Sequence, residues 1–424
     1  MVEILTIHGG RPLYGSVAIS GAKNAVLPLL AATAAHGGEY CLHNCPHLTD
    51  VTATVDILEH LGCTVRREGD AITVDSTRLS CTQIPRALML RLRSSVIFLG
   101  ALLARCGTAQ LWLPGGCCIG ARPIDIHLEA LRQLGAEVEQ TGEAVYCRAQ
   151  QLRGGKILLP YPSVGATENL LLASLGCQEE TVISNAAREP EVVALSELLC
   201  AMGAHIDGAG TATIRMVPGK LRAGASVSVP PDRMEAATYL CALGACGGEL
   251  FLKHADPCQL SPVLDTLRSA GMTVSAQPDG IAAHASQLHQ AAPVCTGPYP
   301  AFPTDAQAPM MAALLRARGT TYIEETVFEH RFRHVDALRA MGAEIALSGN
   351  RATIHGVEAL HGADVAATDL RGGAAMVIAA LGAEGVSHIS QTQHIFRGYD
   401  GLCQKLAGLG ADIALHTAPS EDTA

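Results

Sequence analysis

Apolar residues along this chain gather in helix-length stretches, and six of those stretches end in the same way. A leucine is followed four residues later by a glycine and three beyond that by a valine or isoleucine: Leu58/Gly62/Val65, Leu131/Gly135/Val138, Leu199/Gly203/Ile206, Leu267/Gly271/Val274, Leu338/Gly342/Ile345 and Leu406/Gly410/Ile413. Each copy reads as the last turn of a helix, a glycine at the C-terminal cap, and a strand entered through a β-branched residue. The glycines lie about 70 residues apart, further than the 20–50 of a solenoid repeat, so each unit is a small layered module with its own sheet and helices.

The same order recurs between successive glycines. A strand and a hairpin return lead to a second helix, expected over Ala22–Ala35 in the first unit and beginning near Arg93, Gly165, Asp232, Thr304 and Leu370 in the others. A glycine-marked turn and another strand follow, as in Gly38–Leu42, Gly107–Leu111, Gly248–Leu252, Gly319–Ile323 and Gly385–Ile389. The module therefore reads βαβαββ, and the chain is an α/β protein of six repeats. The strand Val2–His8 has no helix before it, and the last unit ends at Ile413 with only a polar tail. The N-terminal strand is thus expected to complete the last module. With seams near Ser20–Gly21 and Val229–Pro231, the expected domains are 21–229 and a discontinuous 1–20 plus 230–424.

A chain of 424 residues is long enough for two or three domains. It is 48% hydrophobic but only 4% aromatic, so its cores are built from Ala, Leu, Val and Ile. The net charge of -10 argues against a nucleic-acid partner, which calls for a basic face. The 15 cysteines are odd in number and scattered without a C-x2-C pair. Cys41 and Cys45 lack a second ligand pair at zinc spacing, which leaves reduced thiols in a cytosolic protein and no metal. The N-terminus is too short and polar for a signal peptide, and apolar runs such as Ser95–Ala104 fall short of the ~20 residues of a spanning helix. A soluble, cytoplasmic protein without membrane insertion is expected.

What the repeats share carries structure, so chemistry is sought where they differ. The second helix of each unit starts differently: Lys23-Asn24, Arg93, Ser163-Val164-Gly165, Asp232-Arg233, Thr304-Asp305 and Asp369-Leu370-Arg371. Acidic residues at these starts read as caps. Lys23, Arg93 and Arg371 oppose the helix dipole and point to a shared anionic ligand. A second departure is Leu113–Asp125, where Cys117 sits in a glycine loop near Arg122, a setting that biases a thiol toward thiolate. A third is Gln393–Tyr399, read as the start of the last long helix and adding Arg397. Asp305 is either a cap or a general base, and the run Arg331–His334 reads as a solvated face or a docking segment.

These residues resemble the enolpyruvyl transferases, over essentially the full chain. The resemblance rests on Ser20–Asn24, Pro114–Cys117 with Gly120–Pro123, Ser163–Thr167, Ala187–Glu191, Pro231–Arg233, Phe302–Asp305, Thr368–Arg371 and Arg397–Tyr399. It implies a two-domain inside-out α/β barrel, three βαβαββ repeats per domain about pseudo-threefold axes, with the active site in the cleft between domains. It also implies transfer of the enolpyruvyl group of phosphoenolpyruvate to the 3-hydroxyl of UDP-N-acetylglucosamine, releasing phosphate, the first committed step of peptidoglycan precursor synthesis. Lys23, Arg122 and Arg397 match the phosphate-side cations, with Asn24 beside them. Arg371 with Arg397 matches the carboxylate clamp, where a planar fork outperforms lysine. Arg93 matches a residue of the same pocket and also counts among the nucleotide-sugar positions. Those are Asn24, Arg93, Arg122, Pro123, Ile124, Asp125, Ile126, Ser163, Val164, Asp305 and Val327.

On the same resemblance, Asp305 is the base for the sugar hydroxyl. Cys117 is the general acid, able to carry a covalent enolpyruvyl phosphate and to be alkylated by fosfomycin. No cofactor, metal or second subunit is required. Two residues depart from the usual pattern: Cys118, which makes a vicinal thiol pair with Cys117, and Tyr161, which puts one diphosphate contact in doubt but not the reaction. Two alternatives stay open: a shikimate 3-phosphate enolpyruvyl transferase, which lacks the Pro-Gly-Gly-Cys loop, and a non-catalytic UDP-sugar-binding regulator. A six-repeat sliding clamp would need a basic channel and has no use for the cysteine loop.

Overall fold

The computed structural model describes residues 2–113 and 124–418, which divide into two compact units, one of 21–113 with 124–230 and one of 2–20 with 231–418. Each has its own continuous apolar core.

The six helix ends share one geometry. Gly62 has φ 100°, its N–H donates to the Glu59 carbonyl at 3.0 Å, and the Cys63 N–H reaches back to the Leu58 carbonyl at 2.9 Å. The same pair of bonds recurs at Gly135, Gly203, Gly271, Gly342 and Gly410, with φ between 91° and 109° and N···O distances between 2.8 and 3.1 Å. This is the Schellman arrangement, which satisfies two helix-end carbonyls and needs a residue that tolerates positive φ. The leucine is the third residue from the helix end, and all six leucines are buried.

Three helices form the centre of each unit. In one unit these are Lys23–Ala32, Phe98–Cys106 and Val164–Ser174. In the other they are Arg233–Cys246, Gln307–Ala313 and Leu370–Gly382. Every residue of Leu370–Gly382 except the first is buried. A helix apolar on all sides belongs inside, and its small residues allow close approach. At Gly100 a Cβ would fall 2.3 Å from the Asn169 carbonyl oxygen, so only glycine lets these two helices meet.

Sheets surround each trio, giving the inside-out α/β arrangement. Among the described residues five sheets have four strands, and each runs as a parallel edge strand, a central strand, and a further antiparallel pair, which is a hairpin in four of them. The sixth has three strands, with a single parallel bridge from Gln83 to Gln110 where its fourth would lie. The N-terminal strand Val2–His8 lies between Val386–Ser390 and Asp412–Ala418, antiparallel to both, and so completes the last module.

Two edge strands are exchanged. In most modules the edge strand precedes the buried helix of its own sheet, as Gly155–Leu158 precedes Val164–Ser174. But Leu13–Ala18 pairs with Gly248–Lys253, and Ser226–Ser228 pairs with Glu39–His43. Each unit is thereby closed by a strand from the far end of its own chain segments, and the chain passes between units at Ser20–Gly21 and Pro230–Pro231.

Three expected elements differ in extent. The first buried helix is Lys23–Ala32 rather than Ala22–Ala35, because Thr33 donates its hydroxyl to the Leu30 carbonyl and Gly37-Gly38 follow. Arg93 opens a 3-10 turn, Arg93–Ile97, before the α-helix proper. Gln393–Phe396 is a single short helix, separate from Leu402–Gly408, so Arg397 does not start a long one.

Candidate functional site

In the unit of 21–230, the predicted binding residues sit at the starts of helices. Lys23 is the first residue of its helix, which has no side-chain cap. Its Nζ lies 2.7 Å from Asp50 Oδ2, and that carboxylate is itself buried. The pair balances a cation that opposes the helix dipole. Asn24 beside it is exposed, and Arg93 is half-buried at the start of its 3-10 turn. Ile124 is buried and leads into the helix Asp125–Gln133, with Asp125 exposed and Ile126 half-buried. Ser163 caps its helix by accepting from the Ala166 N–H at 3.3 Å, and Val164 is the first helical residue.

In the other unit a denser cluster forms. Asp305 Oδ1 accepts from Arg331 Nη2 at 2.7 Å, and its Oδ2 accepts from Arg371 Nη2 at 3.0 Å. Both guanidiniums are buried, whereas Asp305 is 29% exposed. Arg371 also donates Nη1 to the Tyr399 hydroxyl at 3.0 Å, and that hydroxyl lies 2.8 Å from Thr238 Oγ1. Burial alone would lower the Arg371 pKa, but Tyr399, Asp305 and Asp232 more than offset it and raise it, so the guanidinium stays charged. Burial pushes the Tyr399 hydroxyl up despite Arg371, so it stays neutral. The result is a carboxylate held by two buried cations, with its outer face toward solvent.

The backbone around this cluster is fixed from below. Asp369 caps its helix by accepting from the Arg371 and Gly372 N–H groups, both at 3.0 Å, which places Arg371 in the first turn. Asp305 is not a cap: the turn Thr304–Ala306 has no side-chain cap bond, and the carboxylate is spent on the arginines. Buried Glu325 takes the Thr304 and Thr296 hydroxyls and the Val327 N–H, fixing Val327 half-buried beside the same turn. Arg397 is half-buried at the end of Gln393–Phe396.

This fold and this gathering of cations agree with the chain's resemblance to known proteins. Residues 7–406 match the family model described as EPSP synthase (3-phosphoshikimate 1-carboxyvinyltransferase). The chain belongs to the enolpyruvyl transferase family. Among curated relatives, the UDP-N-acetylglucosamine 1-carboxyvinyltransferase 2 of Caldanaerobacter subterraneus subsp. tengcongensis is 44% identical, over 96% of this chain and 98% of that protein. The UDP-N-acetylglucosamine 1-carboxyvinyltransferase of Zymomonas mobilis is 44% identical over 97% and 99%. Among solved structures, the enolpyruvyl transferase NikO from Streptomyces tendae superposes with a TM-score of 0.89 at 28% identity, covering 99% of this chain and 100% of that one.

For this enolpyruvyl transferase the structure adds one cation to the candidates and revises one expectation. The run Arg331–His334, expected as a solvated face or a docking segment, is buried at both ends: Arg331 is 4% exposed and His334 0%. Arg331 belongs with Asp305, a partner 26 residues away that no local pattern announces. Asp50 was likewise missed as the counterion of Lys23. Cys117, Cys118, Arg122 and Pro123 lie outside the described residues. Among the described residues no helix is long and apolar enough to cross a membrane.

Proposed function

We propose that this enolpyruvyl transferase moves the enolpyruvyl group of phosphoenolpyruvate onto the 3-hydroxyl of UDP-N-acetylglucosamine and releases phosphate, opening peptidoglycan precursor synthesis. The observation that carries the reading is Asp305 joined to Arg331 and Arg371. That cluster offers a base and a doubly cationic seat in one place, and the substrate brings both a phosphate and a carboxylate. The two relatives named above, at 44% identity over nearly their full lengths, carry the corresponding names.

In the addition step the sugar hydroxyl loses its proton to Asp305 as its oxygen bonds to C2 of the enol, and a proton from the Cys117 thiol goes to C3. In the elimination step C3 returns a proton to the Cys117 thiolate while the C2–O bond to phosphate breaks, restoring the double bond, and the departing phosphate takes the proton held by Asp305. The paired guanidiniums hold the Asp305 carboxylate in place, Arg331 on Oδ1 and Arg371 on Oδ2. When the substrate carboxylate takes up Arg371 together with Arg397, Asp305 loses part of its counter-charge and becomes a stronger base. Lys23, Arg122 and Arg397 stabilise the charge gathering on the departing phosphate, with Asn24 beside them. Arg93, Pro123, Ile124, Asp125, Ile126, Ser163, Val164 and Val327 hold the nucleotide sugar. Proton transfer of this kind contributes about 10²–10⁴-fold, and orientation and charge supply the rest. Both substrates are charged metabolites, which fits a cytoplasmic site of action.

Phosphate release with phosphoenolpyruvate plus UDP-N-acetylglucosamine, set against phosphoenolpyruvate plus shikimate 3-phosphate, tests the reading. Turnover confined to the nucleotide sugar is expected, and turnover confined to the shikimate ester would replace it. Mass spectrometry should find a fosfomycin adduct on Cys117 in the presence of the nucleotide sugar.

A further inference from the structure

Asn169 is 1% exposed, in the middle of the helix Val164–Ser174, and every polar atom of its carboxamide is used. Its Oδ1 accepts from the Gly100 backbone N–H at 2.8 Å. Its Nδ2 donates to the Val96 carbonyl at 3.1 Å and to His127 Nδ1 at 2.8 Å. The first of these bonds fixes the orientation of the amide, because a backbone N–H can only donate. The nitrogen therefore faces Val96 and His127.

Two consequences follow from that orientation. Val96 lies in the 3-10 turn that Arg93 begins, and Gly100 in the α-helix that continues it. Where one kind of helix gives way to the other, the repeating bonds change partner and leave a carbonyl and an N–H to be satisfied. One carboxamide satisfies both. Moreover, His127 Nδ1 accepts a hydrogen bond rather than carrying a hydrogen, so the imidazole is the neutral tautomer with its hydrogen on Nε2. That ring packs on the start of the third helix: a Cβ on Gly165 would lie 2.8 Å from His127 Cε1 and 3.2 Å from Nε2.

We propose that Asn169 is a positioning residue for the nucleotide-sugar side of the site, joining the Arg93 turn, the Asp125 helix and the Ser163 helix through a tautomer-locked His127. All three stretches lie within one unit, and each carries residues assigned above to the nucleotide sugar. The inference rests on that assignment for its function, but not for the lock itself. Loss of the lock should loosen the three helix starts relative to one another and weaken nucleotide-sugar binding, leaving the phosphoenolpyruvate cations where they are.

Asn169→Asp separates the parts. An aspartate still accepts from Gly100 but donates to neither Val96 nor His127, so His127 should move its proton to Nδ1. Imidazole nitrogen NMR is expected to show the Nε2–H tautomer in the native protein and the Nδ1–H tautomer in the variant. The KM for UDP-N-acetylglucosamine should rise about tenfold, the loss of one buried hydrogen bond, while the KM for phosphoenolpyruvate changes less than about twofold. An Nδ1–H tautomer in the native protein overturns the lock, and an equal rise in both KM values overturns the positioning role. If the native protein turns over no nucleotide sugar, the proposed function fails, yet the tautomer still reports on the lock. Should Asn169→Asp not fold, Gly165→Ala reaches the same coupling by pushing on the His127 ring. It should raise the nucleotide-sugar KM alone with the Nε2–H tautomer kept, and an unchanged KM there counts against the proposal.

Discussion

The two ends of the repeat helices behave differently. At the six C-terminal ends the backbone is the same to within a few tenths of an ångström in its bonds, with one glycine at one kind of φ. At the six starts of the buried helices the arrangement varies. One has a paired lysine and no cap, two are entered through 3-10 turns, and three are capped, by Ser163, Asp232 and Asp369. The contrast has a physical reason. A helix end that must turn at once into a strand needs positive φ, and glycine meets that need with little strain. A helix start exposes N–H groups that a serine, an aspartate or a ligand satisfies equally well. The ends hold the modules together, and the starts are left free to acquire chemistry.

Substitutions at starts and ends should separate accordingly. The largest effect is expected at a start: Asp305→Asn should lower kcat for phosphate release by about 10²–10⁴-fold, because the proposed base is lost while the arginines keep a neutral partner. A kcat within tenfold of native would break the contrast. At the ends the loss should appear in stability instead. Gly410→Ala, with its nearest outside atom 3.9 Å away, should cost about 1–2 kcal/mol in urea unfolding from the left-handed backbone alone. Gly203→Ala should cost more, because its Cβ would fall 2.4 Å from the Lys220 carbonyl oxygen. Neither should change kcat. Asp232→Ala removes a cap that accepts from Met234 at 2.7 Å and Glu235 at 3.2 Å, and should cost about 1 kcal/mol.

The smallest effect concerns His334, which precedes the helix Val335–Ala340. Burial holds its pKa down at about 4, with Arg331 adding to the shift and Asp369 opposing it. The unfolded chain takes up this proton below about 6.5 and the folded protein only near 4, so its contribution to stability is lost as pH falls through that window. In His334→Gln the drop in urea midpoint between pH 7 and pH 5 should therefore be smaller than in the native protein.

The contrast also explains what the sequence could reveal. Helix ends were legible because the signal is local: a leucine and a glycine four apart on one turn. Lys23 and Arg371 were legible as anomalies, since a cation at a helix start asks for a counter-charge. Arg331 was not, because a basic run before an amphipathic helix looks the same whether it is solvated or buried against a distant carboxylate. Asn169 was silent for the same reason, its partners Val96 and Gly100 being 73 and 69 residues away. The seams between domains left a trace in composition, but the exchange of edge strands left none, since Leu13–Ala18 would suit either sheet.

That exchange sets an order on the making of the protein. During synthesis the unit of 21–230 can close as soon as Ser226–Ser228 reaches the strand Glu39–His43. The strands made first have longest to wait. Leu13–Ala18 finds its neighbour only when Gly248–Lys253 has been made, and Val2–His8 waits for Val386–Ser390 and Asp412–Ala418. Of these strands Val2–His8 is thus the last to be shielded, with Leu5 and Ile7 uncovered until its partners have been made.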